Sequence, residues 1–186
     1  MISVWSYCAA DWVRATKAAG GVPPLLSPPT DNDTLDLLKA TRADMVYLNL
    51  HGFPEQPYYY GQKDNVMGPT ALTAEHVAKH DWSGVVVFAE VCFSAKDGGS
   101  AIAKAFLKGG ALAFIGSTTE AYGRMKPTLW DGEADRLAYL FRVAYAKYSK
   151  QPMKSLHVAK KMLSALSFPL DADDRSTLES FVCLTN

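Results

Sequence analysis

The sequence predicts an α/β fold built on a mainly parallel sheet. Two observations carry that expectation. Apolar runs of strand length alternate with amphipathic stretches of helix length along the chain. Two of the runs, Asp44 to Leu50 and Gly84 to Phe93, are almost continuously apolar, as in strands covered on both faces.

The elements follow in order. Ile2 to Tyr7 reads as a strand, and Ala10 to Ala19 as a helix with Trp12, Val13 and Ala15 near one face, closed by Gly20-Gly21. Val22 to Thr30 holds four prolines, which restricts it to a loop or a short edge strand. Asp33-Thr34 is expected to cap a helix running to about Ala40, with Leu35, Leu37 and Leu38 inward. After the strand to Leu50 comes His51-Gly52. Phe53 to Pro69, rich in Pro, Gly and Tyr and without periodicity, reads as a long binding loop, in which Tyr58-Tyr59-Tyr60 can cover a substrate or meet a partner.

Thr73 to Lys79 is a short helix capped by Thr73. The strand from Gly84 delivers Cys92 near its end. Ser100 to Lys108 is an amphipathic helix on Ile102, Ala105, Phe106 and Leu107, and Ala111 to Ile115 is a strand followed by Gly116-Ser117-Thr118-Thr119. A long helix is expected from about Gly132 to Tyr148, a break at Pro152, and a further helix from Ser155 to Leu166. From Phe168 the tail is polar and punctuated, with a late strand at Phe181-Val182.

A length of 186 residues fits one domain, 1–186, and 48% hydrophobic residues suffice for a core without metal or disulfide staples. Lys plus Arg equals Asp plus Glu at 19 each, which argues against nucleic acid or an anionic membrane surface as partner. Cys8, Cys92 and Cys183 are too scattered for a disulfide framework or a CxxC metal site. The acidic clusters Asp31 to Asp36 and Asp171 to Asp174 lack a calcium-loop pattern, and Ser6 to Ala10 holds no glycine for a phosphate loop. No cofactor is expected. The N-terminus shows no export signal and no apolar run nears the roughly 20 residues of a membrane helix, so the expectation is a cytoplasmic protein or a domain excised from a secreted one.

Parallel sheets bind ligands at the carboxyl ends of their strands. Two such ends here carry His51-Gly52 and Glu90-Val91-Cys92. A thiol beside an imidazole is the arrangement a thiolate nucleophile needs, and the same imidazole can protonate a leaving amine. Gly52 lets its backbone N–H approach an oxyanion, alongside the N–H of Cys92. Each residue also has a plainer reading. A lone Cys in an apolar strand is usually core, and a lone His at a strand end is usually a boundary residue. Glu90 is harder to dismiss, because a carboxylate inside so apolar a strand is costly without a purpose.

Val46-Tyr47-Leu48-Asn49-Leu50-His51-Gly52 resembles the strand-then-His-Gly box of the cysteine peptidases that include caspases, legumains, clostripain, gingipains and metacaspases. Val86-Val87-Phe88-Ala89-Glu90-Val91-Cys92 resembles their second box, a strand ending in acid-x-Cys. Ala101 to Leu107, Gly109-Gly110-Ala111 and Ile115-Gly116-Ser117 look most like gingipains and CHAT domains, and the resemblance runs from about Asp44 to Leu166. Val91 and Phe93 depart from it, being bulkier than the usual neighbours of the nucleophile.

The resemblance implies a caspase-like three-layer α/β/α sandwich and a peptidase with Cys92 as nucleophile, His51 as general acid/base and Gly52 as oxyanion donor. Glu90 takes the specificity-pocket position, with Ser117 and Thr118 on a further wall. The implied partner is a protein or peptide substrate, cut after Arg or Lys, although legumain-like members pair a Glu here with Asn. Glu120 reads as a solvated loop charge. An activated Cys92 is expected to alkylate faster than Cys8 and Cys183 at mildly acidic pH. A catalytically silent CHAT-like scaffold for protein interaction stays open as the alternative.

Overall fold

The computed structural model describes residues 2–123, 133–148, 151–167 and 169–186. Six strands form one sheet in the order β2-β1-β3-β6-β7-β8. They are β1 (Val4–Ala9), β2 (Leu25–Ser27), β3 (Met45–Asn49), β6 (Val86–Glu90), β7 (Ala113–Ser117) and β8 (Phe181–Leu184). The first five run parallel, and β8 closes one edge antiparallel to β7. The three-layer sandwich is therefore present. Every residue of β3, β6 and β7 is buried, as their unbroken apolar sequences require.

Alternate residues of the strands feed two cores. Val46, Leu48, Val87 and Ala89 pack under α3 (Ala101–Lys108) and the short α2 (Ala74–Ala78), around the fully buried Trp82 and Phe106. Tyr47, Phe88 and Ile115 pack on the other face against α4 (Glu133–Lys147) and α5 (Pro152–Leu166), through Leu137, Phe141 and Leu163. Helix α1 (Val13–Gly20) joins that second layer through Ala19. Full burial of each such side chain contributes about 1.5–3 kcal/mol, so the sheet centre is a main source of the fold's stability. Among the described residues no helix is long and apolar enough to cross a membrane.

Four expectations need correction. The stretch read as a long loop holds a two-stranded hairpin, β4 (Tyr58–Lys63) and β5 (Val66–Thr73). Its turn is Asp64-Asn65, both at positive φ (55° and 61°), a conformation that Asp and Asn tolerate better than other side chains. Tyr59 is buried whereas Tyr58 is exposed, so the tyrosine run alternates across a strand instead of forming one surface.

No helix forms from Asp33 to Ala40. The Asp31 carboxylate accepts from the N–H groups of Asp33 and Thr34 and from Thr34 Oγ1, and Asp36 accepts from Leu38 N–H. These local bonds compete with a helix, leaving a short 3-10 turn at Ala40–Arg42. Leu35 and Leu37 are buried as expected, but Leu38 is 56% exposed.

Pro152 begins α5 rather than interrupting it, since the first helical residue needs no N–H partner. In the tail, Asp171 caps α6 (Ala172–Ser180) through Asp174 N–H at 2.8 Å, and the chain passes directly into β8. Gly132 and Phe168, where the long helix and the tail were expected to begin, lie outside the described residues.

Candidate active site

Four neighbouring strand ends open on the same edge of the sheet. The register pairs Asn49 of β3 with Glu90 of β6, so His51 and Cys92 follow two residues beyond matched positions. Both line a cavity of about 300 Å³. The end of β1 adds Trp12, and the segment after β7 adds Glu120 to Gly123. Its floor holds Glu90 and Asp135 of α4.

Cys92 is held by backbone. Phe93 N–H donates to the Thr119 carbonyl at 2.7 Å, and Ala95 N–H to that of Ser117 at 2.8 Å, tying the turn after β6 to the chain leaving β7. Phe93 sits at φ 58°, unusual for an aromatic side chain and a local strain of about 1–3 kcal/mol directly beside the thiol. Cys92 Sγ accepts from Ala121 N–H at 3.3 Å and lies 3.8 Å from the same residue's carbonyl, to which the thiol donates. Burial pushes the thiol above its usual range, Ala121 N–H draws it back, and the Glu120 charge pushes it up again. These surroundings favour the neutral thiol over the thiolate, and no hydrogen bond among the described residues joins it to His51.

His51 is held by side chains. Its backbone bridges to Tyr60 of β4, N–H to carbonyl at 2.9 Å and the reciprocal bond at 3.0 Å. Nε2 lies 2.5 Å from Gln62 Oε1, and Gln62 Nε2 donates to Asp11 Oδ2 at 2.9 Å. The Trp12 ring packs against the imidazole with centroids 4.5 Å apart. Gly52 is buried where a Cβ would come within 2.5 Å of both the Cys92 carbonyl oxygen and Val91 Cγ1, so only glycine lets the two strand ends close. The N–H of Gly52 takes no backbone hydrogen-bond partner among the described residues, and the N–H of Cys92 faces its own thiol sulfur.

Glu90 and Asp135 are each 4% exposed. Tyr47 Oη donates to Glu90 Oε2 at 2.5 Å and reaches Asp135 Oδ1 at 3.4 Å, while Asn49 Nδ2 reaches the same Oδ1 at 3.5 Å. Burial, followed by the charge of Asp135, holds the Glu90 carboxyl well above the ordinary glutamate range. A Cβ at Gly123 would meet Glu90 Oε1 and Asp135 Oδ2, so any larger residue there requires the two carboxylates to shift.

No family model matches the sequence, and no curated protein does. Solved structures do match. Gingipain R (RGPB), an Arg-specific cysteine proteinase, superposes with a TM-score of 0.60 at 13% identity over 98% of this chain and 46% of its own. A complex of the Porphyromonas gingivalis RgpB pro- and mature domains gives 0.59 at 12% identity, over 99% and 47%. The chain has the caspase-like, gingipain-type fold. It spans about half the length of the gingipain chains it matches, and at such identity the likeness is one of fold.

On this gingipain-type sheet the expected residues are distributed unevenly. His51, Gly52, Glu90 and Cys92 come together at one edge. Ser117 and Thr118 are not among the described residues lining the cavity. Ser117 Oγ accepts from Thr119 N–H and donates to the Glu120 carbonyl, and Thr118 donates through N–H and Oγ1 to the Ser180 carbonyl. They anchor the loop that supplies the wall. Glu120 is exposed but lines the cavity, its carboxylate accepting from Tyr122 Oη. Sequence reasoning missed Asp11, Trp12, Gln62 and Asp135. Asp135 stands in the first turn of a helix, where an acid ordinarily reads as a partner of the helix dipole.

Proposed function

We propose that this chain is the catalytic domain of a cysteine peptidase that works through His51 and Cys92. The observation that carries the proposal is their shared cavity: two neighbouring strand ends bring an imidazole and a thiol together above a buried pair of carboxylates.

In this reading His51 takes the Cys92 proton as the substrate carbonyl arrives, because burial disfavours a standing thiolate. The thiolate attacks the carbonyl carbon, and the oxyanion is received by the N–H groups of Gly52 and Cys92. His51 returns the proton to the departing amine, and water then cleaves the thioester. Glu90 and Asp135 favour a cationic side chain, Arg or Lys, before the scissile bond: an arriving guanidinium or ammonium makes ionisation of Glu90 favourable. Ser117 and Thr118 act on the substrate through the loop they hold. The unit proposed to carry this activity is 1–186, acting on a protein or peptide.

The silent-scaffold alternative has one observation in its favour, a thiol bonded to the Ala121 backbone and not to His51. Fluorogenic peptides ending in Arg, Lys, Asn or Asp separate the two readings. The expected result is turnover of the Arg and Lys peptides by the wild type and none by Cys92→Ala. No turnover of any peptide, with Cys92 no more open to a peptide-like electrophile than Cys8, would leave the scaffold.

A further inference from the structure

Gln62 belongs to no motif in the sequence, yet its side chain is the one that meets the His51 ring. Its orientation is set from behind. Asp11 Oδ2 receives Gln62 Nε2 at 2.9 Å and Asn65 N–H at 2.9 Å, and Oδ1 receives Asp64 N–H at 2.9 Å. A carboxylate facing three donors can only accept, and these bonds hold Asp11 below the usual carboxylate range, with Gln62 the largest contributor. Gln62 must therefore turn its NH₂ to Asp11 and its carbonyl to His51. A carbonyl 2.5 Å from an imidazole nitrogen requires a proton on that nitrogen.

We infer that the Asp11–Gln62 pair fixes neutral His51 as the Nε2–H tautomer, leaving Nδ1 as the one nitrogen able to take the Cys92 proton. The tautomer follows from the hydrogen-bond chain alone; its catalytic use rests on the peptidase reading above. The device is built from the hairpin. Gln62 lies two residues after Tyr60, whose backbone bridges His51, and two before the Asp64-Asn65 turn, whose N–H groups clamp Asp11. The Trp12 ring fixes the plane of the imidazole. Asp11 and Gln62 are positioning residues, acting on the reaction through His51.

Long-range ¹H–¹⁵N correlation spectra of ¹⁵N-histidine protein, recorded above the imidazole titration, test this directly. The chain has four histidines, and the spectrum of His51→Ala identifies the His51 signals. The wild type is expected to show protonated Nε2 and unprotonated Nδ1. In Asp11→Asn the Gln62 amide is free to turn, and the tautomers are expected to mix, with kcat falling about 10–10²-fold and KM little changed. Adding Gln62→Glu to Asp11→Asn rebuilds the donor–acceptor order and should restore both the Nε2–H signature and most of the turnover. An Nδ1–H tautomer in the wild type overturns the inference, as does an unchanged tautomer in folded Asp11→Asn. Should Asp11→Asn fail to fold, the wild-type tautomer decides alone. The expected tautomers in a protein without peptidase activity would sink the peptidase reading and leave the positioning intact.

Discussion

His51 and Cys92 end adjacent strands of one sheet, yet they are held in opposite ways. Cys92 is placed by main chain, through the Thr119, Ser117 and Ala121 backbone and a strained Phe93. His51 is placed by side chains from distant segments, Gln62 and Asp11, and by the Trp12 ring. The difference matches what each group must do. A nucleophile needs a fixed position and little else, whereas an imidazole that exchanges protons must also have its ring plane and tautomer chosen, and here the Gln62 side chain and the Trp12 ring choose those. The contrast predicts that changes near Cys92 act through geometry, and changes near His51 through protonation.

The largest effect is expected from removing either group. Cys92→Ala and His51→Ala should each lower kcat/KM on an Arg peptide by more than about 10³-fold, and the double variant should lose no more than either single, since the two act as a unit. Additive losses in steady-state kinetics would break the pairing. Gly52→Ala comes next. Its Cβ meets the Cys92 carbonyl, so the expected loss in kcat is about 10²–10³-fold, as for removal of an oxyanion donor. An unaffected Gly52→Ala enzyme would remove that glycine from the site.

Glu90→Gln sharpens the comparison differently, because its effects on specificity and stability separate. The preference for Arg over Asn peptides should fall about tenfold or more. For stability the sign runs the other way. The folded carboxyl keeps a proton that the unfolded chain releases in the ordinary glutamate range, so wild-type stability is fully present below that range and declines as pH rises toward the raised folded value. Glu90→Gln escapes this decline. Its Tm should exceed that of the wild type at pH 9, by about 2–4 °C for each kcal/mol relieved, and by less at pH 5. A wild type gaining on the variant as pH rises would contradict the raised Glu90 carboxyl.

The smallest effect is expected from Thr118→Val, whose hydroxyl bonds the Ser180 carbonyl away from the cavity. Peptide preference should not change, and turnover should stay within about threefold. A reordered preference would place Thr118 against the substrate after all.

The sheet and the Cys92 side of the site were legible because they are local. The continuous apolar runs of β3 and β6 announce buried parallel strands, and Glu90 stands out inside one of them. His51 and Gly52 were legible too, but the side chains that hold the imidazole were not. Gln62 and Asp11 meet only because the Asp64-Asn65 turn folds the hairpin back on the end of β1, and Tyr-Tyr-Tyr-Gly-Gln-Lys lacks the apolar alternation that announces a strand. Asp135 escaped for a related reason, since nothing in its own helix indicates that a carboxylate from β6 waits opposite. The false helix at Asp33 failed on chemistry that was visible: an Asp-rich run supplies turn acceptors as readily as caps.

The most direct measurement of the central claim is covalent capture with a peptidyl acyloxymethyl ketone carrying Arg next to the warhead, read by mass spectrometry on peptides containing each cysteine. The expected result is a single thioether on Cys92, strongly slowed in His51→Ala. Cys8 and Cys183 should stay unmodified, as burial holds their thiols at about 12 and about 11. Labelling of Cys92 that is absent, or no faster than labelling of Cys183, would contradict the account.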